Sequence, residues 1–468
     1  MYNVTSYMKA VSCKDAPSLH YPWQCAEGGD DRSTFISGGY MKHNLLAAGA
    51  ALVLAASFTG CSKGSSGSSS SAASAKKSIR VFNIKVEIDS QLKDFAKAYE
   101  EKTGVHVDIE SSGGGADNQG ILKGYKASDN MPDIFVFEGP GHFAVWHNDM
   151  IALDDEEWAK DTAAAYSDNG HVYGFPYAVE GYGMAYNADL LAKAGIDPAT
   201  LTSYAGYKAA FEKLDSMKTA LGIDSVVSMT AGVAAGMTWV TGTHNFGVYL
   251  SAGLPQGDEH IVNDALEGKV DRARLTDFAD YVKLLFDYSN QNILLTGNYD
   301  QQLQAFEDGK AVFLHQGNWV DPSLSAAGTS FKMAFAPHAF SKSQTIDGIQ
   351  VGAPSWWAVY KDGNVEEAKK FLNEFALSDA GRDARINKMS LISPFASDSA
   401  KPASPLSASV ADYVSRGKTY PWEQFKMPDG FTQDTLGPIY ELLAQNKITT
   451  AQFVDMVTAS IASVPSLR

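Results

Sequence analysis

Residues 171–191 combine a carboxylate with aromatic side chains in one stretch, HVYGFPYAVEGYGMAYNADLL. Glu180 stands between Tyr177 and Tyr182 in chain that reads as extended, and a glycine follows both Glu180 and Tyr182. An ionised carboxylate accepts strong hydrogen bonds, and an aromatic ring offers a flat apolar face with a polar edge. The stretch therefore predicts a point where the chain crosses between two units and lines a pocket. The simpler interpretation is a buried strand that tolerates one glutamate, with Tyr182 packed in a core.

Three further candidates lie where the chain is expected to turn or open. Glu138 comes at the carboxyl end of an apolar strand that begins after Pro132, and Glu87 follows the first strand. Ligands of open parallel sheets lie outside the carboxyl ends of the strands. Trp239 lies in a Gly- and Thr-rich segment, residues 233–246, which is typical of a pocket wall rather than a core element. We therefore expect these side chains at one pocket, although an exposed position is the ordinary alternative for Glu87.

Composition limits the function classes. The chain has 468 residues, of which 45% are hydrophobic and 20% charged, as in a globular protein of about two or three domains. The net charge of −16 argues against nucleic acid as a partner, because binding a phosphate backbone needs a basic face. The cysteines are Cys13, Cys25 and Cys61, so no disulfide is expected beyond residue 61. The histidines lack metal-ligand spacing, so neither a metal nor another cofactor is expected.

An export signal is predicted at residues 41–60. Met41-Lys42-His43 precedes an apolar run at residues 45–58, which is shorter than a membrane span requires. Residues 1–40 precede this start and are interpreted as an extension from an upstream start site. The ending Thr59-Gly60-Cys61 resembles a bacterial lipoprotein box, which implies acylation of Cys61, although Phe58 departs from the usual leucine. Residues 61–78 are Ser- and Gly-rich and predict a lipid-anchored flexible tether with a reach of roughly 20–25 Å.

The chain that follows alternates between strand and helix patterns. Residues 79–84 and 105–109 read as strands, and between them the apolar residues recur at helical spacing. That helical face consists of Leu92, Phe95, Ala96 and Tyr99. The Gly-rich residues 111–115 lack the Gly-Lys-Ser/Thr ending of a phosphate loop, so we interpret them as a turn. Asn187 is expected to begin a helix, since asparagine side chains accept hydrogen bonds from free helical N–H groups. The pattern predicts an α/β fold.

Three segments together resemble the extracellular solute-binding proteins of bacterial carbohydrate ABC importers, the family of the maltodextrin-binding protein. The first is carried by Tyr173, Gly174, Pro176, Glu180, Tyr186, Asn187, Asp189, Leu190 and Leu191. The second is Phe306-x-x-Gly309-Lys310-Ala311, then an apolar strand and Gly317-x-Trp319. The third runs through residues 348–360 and contains Trp356 and Trp357. The strand at Pro132-Asp133-Ile134 also matches a family pattern, and the resemblance extends from about residue 79 to the end of the chain.

The resemblance implies a two-lobed periplasmic-binding-protein type II fold with three interdomain crossovers and a ligand cleft between the lobes. It places the crossings near residues 180–186, 313–319 and 352–358. The first lobe would comprise residues 79–182 and 317–354, and the second lobe residues 183–316 and 355–468. Trp319 then becomes a candidate for stacking on a sugar, as does Trp356 or Trp357, of which alternation in a strand would direct only one to the cleft.

The implied function is that of a lipid-anchored, monomeric substrate-binding subunit that closes on a sugar or oligosaccharide and delivers it to an ABC permease. It would act at the extracytoplasmic face of the membrane and would not be an enzyme. Two other classes stay open from the residues themselves. Glu138 and Glu180 could form the carboxylate pair of a secreted glycosidase. An acidic, aromatic cleft would also suit a polyamine or another cation.

Overall fold

Two β-sheets organise the computed structural model, which describes residues 77–400 and 402–467. The predictions for residues 1–40, for the signal at 41–60 and for acylation of Cys61 fall outside these residues. They stay predictions, as does the tether. No helix in the described part of the chain is long and apolar enough to cross a membrane.

The first sheet has the strand order β2-β1-β3-β11-β5-β4. Its strands are β1 (Ser78–Asn83), β2 (His106–Ser111), β3 (Ile134–Phe137), β4 (Tyr166–Asp168), β5 (His171–Pro176) and β11 (Trp356–Val359). Strand β1 runs parallel to β2 and β3, as the βαβ pattern predicts, whereas β11 runs antiparallel to both β3 and β5. The carboxyl ends of β1, β2 and β3 therefore meet at one edge of this sheet.

The second sheet has the order β12-β10-β6-β8-β7, and β9 also pairs with β6. Its strands are β6 (Glu180–Asn187), β7 (Ser225–Ser228), β8 (Ala311–Gly317), β9 (Met333–Ala336), β10 (Ile349–Gly352) and β12 (Thr419–Tyr420). The central strand β6 carries Gly183, whose Cα faces the Ala336 carbonyl so closely that an added Cβ would lie 2.6 Å from that oxygen. Close pairing of β6 with β9 therefore requires glycine at this position.

Helices cover each sheet and give each its own hydrophobic core. The first core takes α1 (Asp89–Thr103), α2 (Asn118–Ala127), α3 (Gly139–Trp146) and α13 (Val365–Leu377), and the short helix α14 (Asp379–Asp383) follows α13. The second takes α4 (Ala188–Ala194), α5 (Tyr204–Ser216), α6 (Lys218–Leu221), α7 (Phe246–Ser251), α8 (His260–Leu266), α9 (Arg272–Asp287), α10 (Gln291–Thr296), α11 (Tyr299–Glu307), α12 (Asp321–Ala326), α15 (Pro405–Ser415), α16 (Gly437–Ala444) and α17 (Thr450–Ala462). The apolar face predicted for α1 is buried, and Asn187 caps α4 by accepting from the Leu190 N–H at 3.0 Å, as expected. Each sheet with its core is hereafter the first or the second lobe.

The chain passes between the lobes three times within the described residues, and two of the passages differ from the predicted positions. Residues 177–179 join β5 to β6, residues 353–355 join β10 to β11, and the third passage lies between Phe395 of the first core and Leu406 of the second. Residues 313–319 make no crossing, because β8 is a buried inner strand of the second sheet. The predicted lobe boundaries are corrected accordingly: β9 and β10 belong to the second lobe, and β11 and α13 to the first.

The connecting segments lie side by side. The Tyr177 hydroxyl is 2.9 Å from the Ser355 hydroxyl, which links the first passage to the second. The Val179 N–H donates to the Ile392 carbonyl at 2.8 Å, which links the first passage to the segment just before the third. Adjacent strands between two separately packed lobes are the arrangement that allows hinge bending.

Candidate ligand-binding site

A cavity of about 130 Å³ lies between the lobes at the carboxyl ends of the first three strands. Residues 84–87 follow β1, residues 113–116 follow β2, and Glu138 follows β3; all of these segments line the cavity. This is the edge where open parallel sheets bind ligands. The Gly-rich turn predicted after the second strand is thus part of the wall, and its glycines allow the backbone to approach the opposite lobe.

The opposite wall belongs to the second lobe and is mostly aromatic. A π-helix, Trp239–Asn245, contributes Trp239 and His244, and helix α11 contributes its first residue, Tyr299. Trp319 follows β8, and Trp422 comes from the segment after β12. The segment at residues 233–246, which the sequence indicated as a pocket wall, therefore lies where it was expected.

The indole rings form a connected cluster around His244. Its imidazole centroid lies 5.2 Å from the ring of Trp239, 5.1 Å from Trp319 and 5.5 Å from Trp422. Trp319 is 9% exposed, and its indole N–H donates to the Gln316 side-chain oxygen at 3.0 Å. The indole N–H groups of Trp239 and Trp422 are buried and have no hydrogen-bond partner within the described residues.

A buried ion pair joins the two lobes at the base of the cavity. The Lys85 ammonium lies 2.6 Å from a carboxylate oxygen of Glu180, and both side chains are at most 10% exposed. Burial by itself lowers the pKa of Lys85, but attraction from Glu180, the nearby Tyr177 and Glu87 outweighs burial and raises that pKa. Lys85 is therefore a permanent cation beside the cavity, and it offers its remaining N–H donors to the space above.

Two further carboxylates reach the cavity without a cation of their own. Burial raises the pKa of Glu138 to about 7; the Lys85 charge lowers this pKa and the Glu180 charge raises it. No hydrogen bond or ion pair involves the Glu138 carboxylate among the described residues. Burial also raises the pKa of Glu87, although the hydroxyl of Tyr299 donates to its carboxylate and opposes the rise. Within the cavity, three carboxylates thus face one lysine.

The lobes touch on both sides of the cavity. On one side the Glu87–Tyr299 hydrogen bond crosses between lobes, and Gly236 lies so close to Gly115 that a Cβ on Gly236 would be 2.1 Å from the Gly115 carbonyl oxygen. On the other side a Cβ on Gly139 would lie 2.5 Å from the Phe425 Cβ. The structure is therefore in a closed arrangement. A second chamber of about 70 Å³ continues past Glu138 on the Phe425 side.

The sequence of residues 94–416 matches the family described as bacterial extracellular solute-binding protein. The chain belongs to this family. Among curated proteins it is 27% identical over 298 residues to the maltooligosaccharide ABC transporter solute-binding lipoprotein of Streptococcus pneumoniae. That match covers 61% of this chain and 64% of the relative, so just under two thirds of the relative's length is represented. The chain is also 25% identical over 309 residues to the multiple sugar-binding protein of Streptococcus mutans, which covers 64% of this chain and 70% of that one.

Solved structures agree on the fold of this solute-binding protein. A sugar transporter protein of Bacillus licheniformis in complex with stachyose aligns with a TM-score of 0.67 at 19% identity, covering 84% of this chain and 100% of the other. The solute-binding protein RafE in complex with raffinose aligns with a TM-score of 0.68 at 16% identity, covering 83% and 99%. The two-lobed periplasmic-binding-protein fold predicted from the sequence is confirmed.

The structure brings together most of the residues that the sequence singled out. The residues that line the cavity are Glu87, Glu138, Glu180, Trp239 and Trp319. Tyr182 lies beneath it instead: it is fully buried, stacks on His244 at 4.8 Å and donates its hydroxyl proton to the His244 carbonyl at 2.9 Å. Tyr182 therefore supports the aromatic wall and does not form part of it.

Trp356 and Trp357 lie elsewhere, which corrects their predicted place in the cleft. Trp357 is fully buried in the first core and stacks on Tyr177 with 4.5 Å between centroids. Trp356 stacks on Phe137 at 5.7 Å and donates its indole N–H to the Ala164 carbonyl at 2.7 Å. The reason is the position of β11 inside the first sheet: both of its faces are covered by core, and the cavity lies at strand ends rather than on a strand face.

The wall of this solute-binding protein also contains residues that were not among the sequence candidates, and these include Lys85, His244, Tyr299 and Trp422. Lys85 lies in the loop after β1 that also carries Glu87, so the strand-end argument that selected Glu87 applies to it equally. Tyr299, at the start of a helix, and Trp422, in an irregular segment, carry no such local signal. Only the folding of distant segments brings them to the cavity.

Proposed function

We propose that this chain is the substrate-binding subunit of an ABC sugar importer and that its cavity binds a sugar or a short oligosaccharide. The observation that carries the proposal is the pairing of two unlike walls. Glu138 and Lys85 of the first lobe, with Glu180 at the base of the cavity, provide hydrogen-bonding groups, and Trp239, Trp319 and Trp422 provide flat apolar faces at the opposite wall.

A sugar ring needs both kinds of wall. Its axial C–H groups form an apolar face that an indole can cover, and its hydroxyl rim donates and accepts hydrogen bonds. Carboxylates such as Glu138 accept from hydroxyls, and the ammonium of Lys85 donates to them. The relatives support the same ligand class, since their names specify maltooligosaccharide and multiple sugars, and two structural neighbours were solved with stachyose and raffinose.

Binding would be coupled to closure of the lobes. Because the cavity walls come from different lobes, a ligand that contacts both gains its full set of contacts only when the lobes are together. A ligand shifts the equilibrium toward the closed form by as much as its affinity for that form exceeds its affinity for the open one. The adjacent passages at residues 177–179 and 353–355 would act as the hinge. The closed form would then be the one that a membrane permease recognises.

The proposed location is the outer face of the cell membrane, with the chain held by an acyl group on Cys61. The lipoprotein name of the pneumococcal relative supports this, together with the apolar run that ends in Thr59-Gly60-Cys61. Expression with a labelled fatty acid tests it. We expect label and membrane attachment in the wild type and the loss of both in Cys61→Ala. Retained label in the variant would overturn the assignment.

The experiment for ligand class is calorimetric titration of the mature protein with a panel of mono-, di- and trisaccharides at two ionic strengths. We expect a dissociation constant on the order of micromolar, about −8 kcal/mol, for at least one sugar, with little dependence on salt. The three carboxylates against one lysine favour a second candidate, a polyamine or another cation, whose affinity should fall as salt rises. Release of reducing sugar during incubation would instead reveal a glycosidase.

A further inference from the structure

A chain of hydrogen bonds runs through the second core directly behind the aromatic wall. The Tyr281 hydroxyl lies 3.1 Å from the Nδ1 atom of His338, and the Nε2 atom of His338 lies 3.0 Å from the Nδ1 atom of His315. The Nε2 atom of His315 in turn lies 3.0 Å from the carbonyl oxygen of Val240. Both histidines are at most 1% exposed. The ligand-binding role proposed above uses neither of them.

The direction of every proton in this chain follows from its last member. A carbonyl oxygen can only accept, so His315 must carry its proton on Nε2. Burial keeps both imidazoles neutral, with the pKa of His315 lowered to about 4 and that of His338 lower than usual, so each ring has one proton. The Nδ1 atom of His315 must then accept from the Nε2–H of His338. The Nδ1 atom of His338 must accept from the Tyr281 hydroxyl. We name this chain, from Tyr281 to the Val240 carbonyl, the histidine relay.

The relay ends on the π-helix that carries part of the cavity wall. Val240 is the second residue of that helix, directly after Trp239 and four residues before His244. The helix is also held at its other end, where the Tyr182 hydroxyl donates to the His244 carbonyl at 2.9 Å. Its middle lies against another segment, since a Cβ on Gly242 would be 2.1 Å from the Thr432 carbonyl oxygen. A π-helix closes wider turns than an α-helix, and such turns are frequent at functional sites.

We propose that the histidine relay positions the π-helix, so that His315 and His338 are positioning residues that set the placement of Trp239 and His244 at the ligand cavity. His315 fixes the amino end through Val240, while Tyr182 fixes the carboxyl end through His244. The two attachments together hold the aromatic cluster in register with Trp319 and Trp422. The effect on affinity rests on the proposed sugar-binding function, whereas the effect on the π-helix does not.

A metal site would be the other use of neighbouring histidines. The described residues contain no group of three or more His, Cys, Asp or Glu side chains placed to hold a metal. The nitrogens of His315 and His338 face each other, Tyr281, the Val240 carbonyl and the Gly183 backbone. A purely structural role is the remaining alternative. It predicts a loss of stability without a specific effect on the π-helix or on the cavity.

The test compares two substitutions at one position. His315→Gln keeps a side-chain N–H close to the original Nε2 position, and His315→Met has a similar volume but no donor. A ligand-independent readout comes first: hydrogen–deuterium exchange across residues 239–245 and the fluorine spectrum of the protein labelled with 5-fluorotryptophan, with the Trp239 signal assigned by Trp239→Phe. In His315→Met we expect exchange in this segment to accelerate at least tenfold and the Trp239 signal to shift or broaden, and in His315→Gln we expect values near wild type.

Affinity is the second readout. For whichever sugar the wild type binds, His315→Met should bind at least tenfold more weakly, and His315→Gln should lie within threefold of wild type. Tyr281→Phe is the milder variant should His315→Met fail to fold, because it removes only the first donor; it should shift the same Trp239 signal to a smaller extent. Tyr413→Phe is the control, since it removes a buried hydroxyl that donates to the Phe335 carbonyl in the same core.

The outcomes separate the claims. If exchange and the Trp239 signal in His315→Met match those of the Tyr413→Phe control, the relay does not position the π-helix and the proposal fails. If the π-helix loosens while affinity is unchanged, the link from the relay to the cavity fails. If the wild type binds no sugar at all, the proposed function fails, but the exchange and fluorine measurements still decide the placement of Trp239.

Discussion

The ammonium of Lys85 lies 2.6 Å from the carboxylate of Glu180, and this contact joins the loop after the first strand of one lobe to the first residue of the central strand of the other. Both side chains are almost fully buried, so neither charge is solvated by bulk water. Breaking a buried ion pair leaves one charge uncompensated in a poorly polarisable environment. While the lobes are closed, each of the two buried charges compensates the other, and the contact therefore stabilises the closed arrangement.

Removing only the lysine should be costly. We expect Lys85→Met to lower the free energy of unfolding by about 3–5 kcal/mol in urea titrations, because the Glu180 carboxylate stays buried without a counter-charge. The double variant Lys85→Met with Glu180→Gln should recover most of that loss. Lys93→Met is the control: its ion pair with Asp89 is solvent-exposed, and its loss should cost less than about 1 kcal/mol. Equal stability of Lys85→Met and Lys93→Met would contradict the interpretation.

Trp319→Ala should lose most sugar binding and still melt cooperatively. The indole covers one part of the cavity and contacts His244 and Trp422, so its loss removes a stacking face and enlarges the cavity. A buried Trp→Ala change costs about 3–5 kcal/mol in a core. We expect the affinity to fall by at least tenfold in calorimetric titration. Trp158→Phe, deep in the first core, is the control and should leave the affinity unchanged. Unaltered affinity in folded Trp319→Ala would remove this residue from the site.

A single methyl group at Gly317 should displace the same indole. A Cβ at this position would lie 2.0 Å from the Cζ3 atom of Trp319, far inside contact distance, so the ring must move. We expect Gly317→Ala to weaken sugar binding about as much as Trp319→Ala and to alter the tryptophan fluorescence of the free protein. Gly124→Ala is the matched control, because it lies inside α2 with nothing within 4 Å of the added methyl. It should raise stability by about 0.5–1 kcal/mol. Wild-type affinity in Gly317→Ala would show that the wall tolerates a moved indole.

The proton on Glu138 should make stability depend on pH. The pKa of this carboxyl is about 7 in the folded chain, against an ordinary value of 4.5, so the folded state holds the proton more tightly. The resulting stabilisation is fully present below pH 4.5 and is lost as the pH rises through 7, at no more than about 1.4 kcal/mol per pH unit. Between pH 5 and 8 the wild type should therefore lose stability relative to Glu138→Gln.

Urea unfolding of both proteins at several pH values checks this. His315 acts in the opposite direction, because its lowered pKa makes stability fall as the pH drops from 6.5 towards 4. Since His315 is present in both proteins, its contribution cancels in the difference. A difference between wild type and Glu138→Gln that does not vary with pH would show that the Glu138 carboxyl is ionised throughout this range.

Local sequence patterns predicted the elements of this fold better than their assignment to lobes. The first strand, the face of α1 and the helix entry at Asn187 are all determined by neighbouring residues, and the structure has each of them. Strand β8 is buried along its whole length, and such a strand looks the same in either sheet. Its partners β6 and β7 are distant in sequence. The sequence therefore does not show which strands β8 pairs with, and residues 313–319 are mistaken for a crossing between lobes.

For the cavity, too, local patterns predicted some residues, and others could be identified only from the tertiary structure. Glu138 follows a strand that the sequence marks clearly, and the rule for parallel sheets placed it at the sheet edge where the cavity lies. The sequence predicts one of Trp356 and Trp357 in the cleft because their segment passes between lobes, but the passage ends at residue 355 and both tryptophans belong to β11. Lys85 is recognisable as a site residue only from its contact with Glu180, and Trp422 only from its contact with His244. Such contacts depend on tertiary structure, which no local pattern encodes.

The place of β11 in the first sheet also decides when that sheet can be completed. Strand β11 lies between β3 and β5, yet the ribosome makes it after the strands β6 to β10 of the other lobe. Until residues 356–359 have been made, β3 and β5 have no strand between them, and each keeps an open edge that can pair with another chain. The strands β1 to β5 of the first lobe are synthesised before those of the second lobe, but their sheet is completed only after β10 has been made. A fragment that ends before Trp356 keeps the open edges of β3 and β5 as two sites for aggregation.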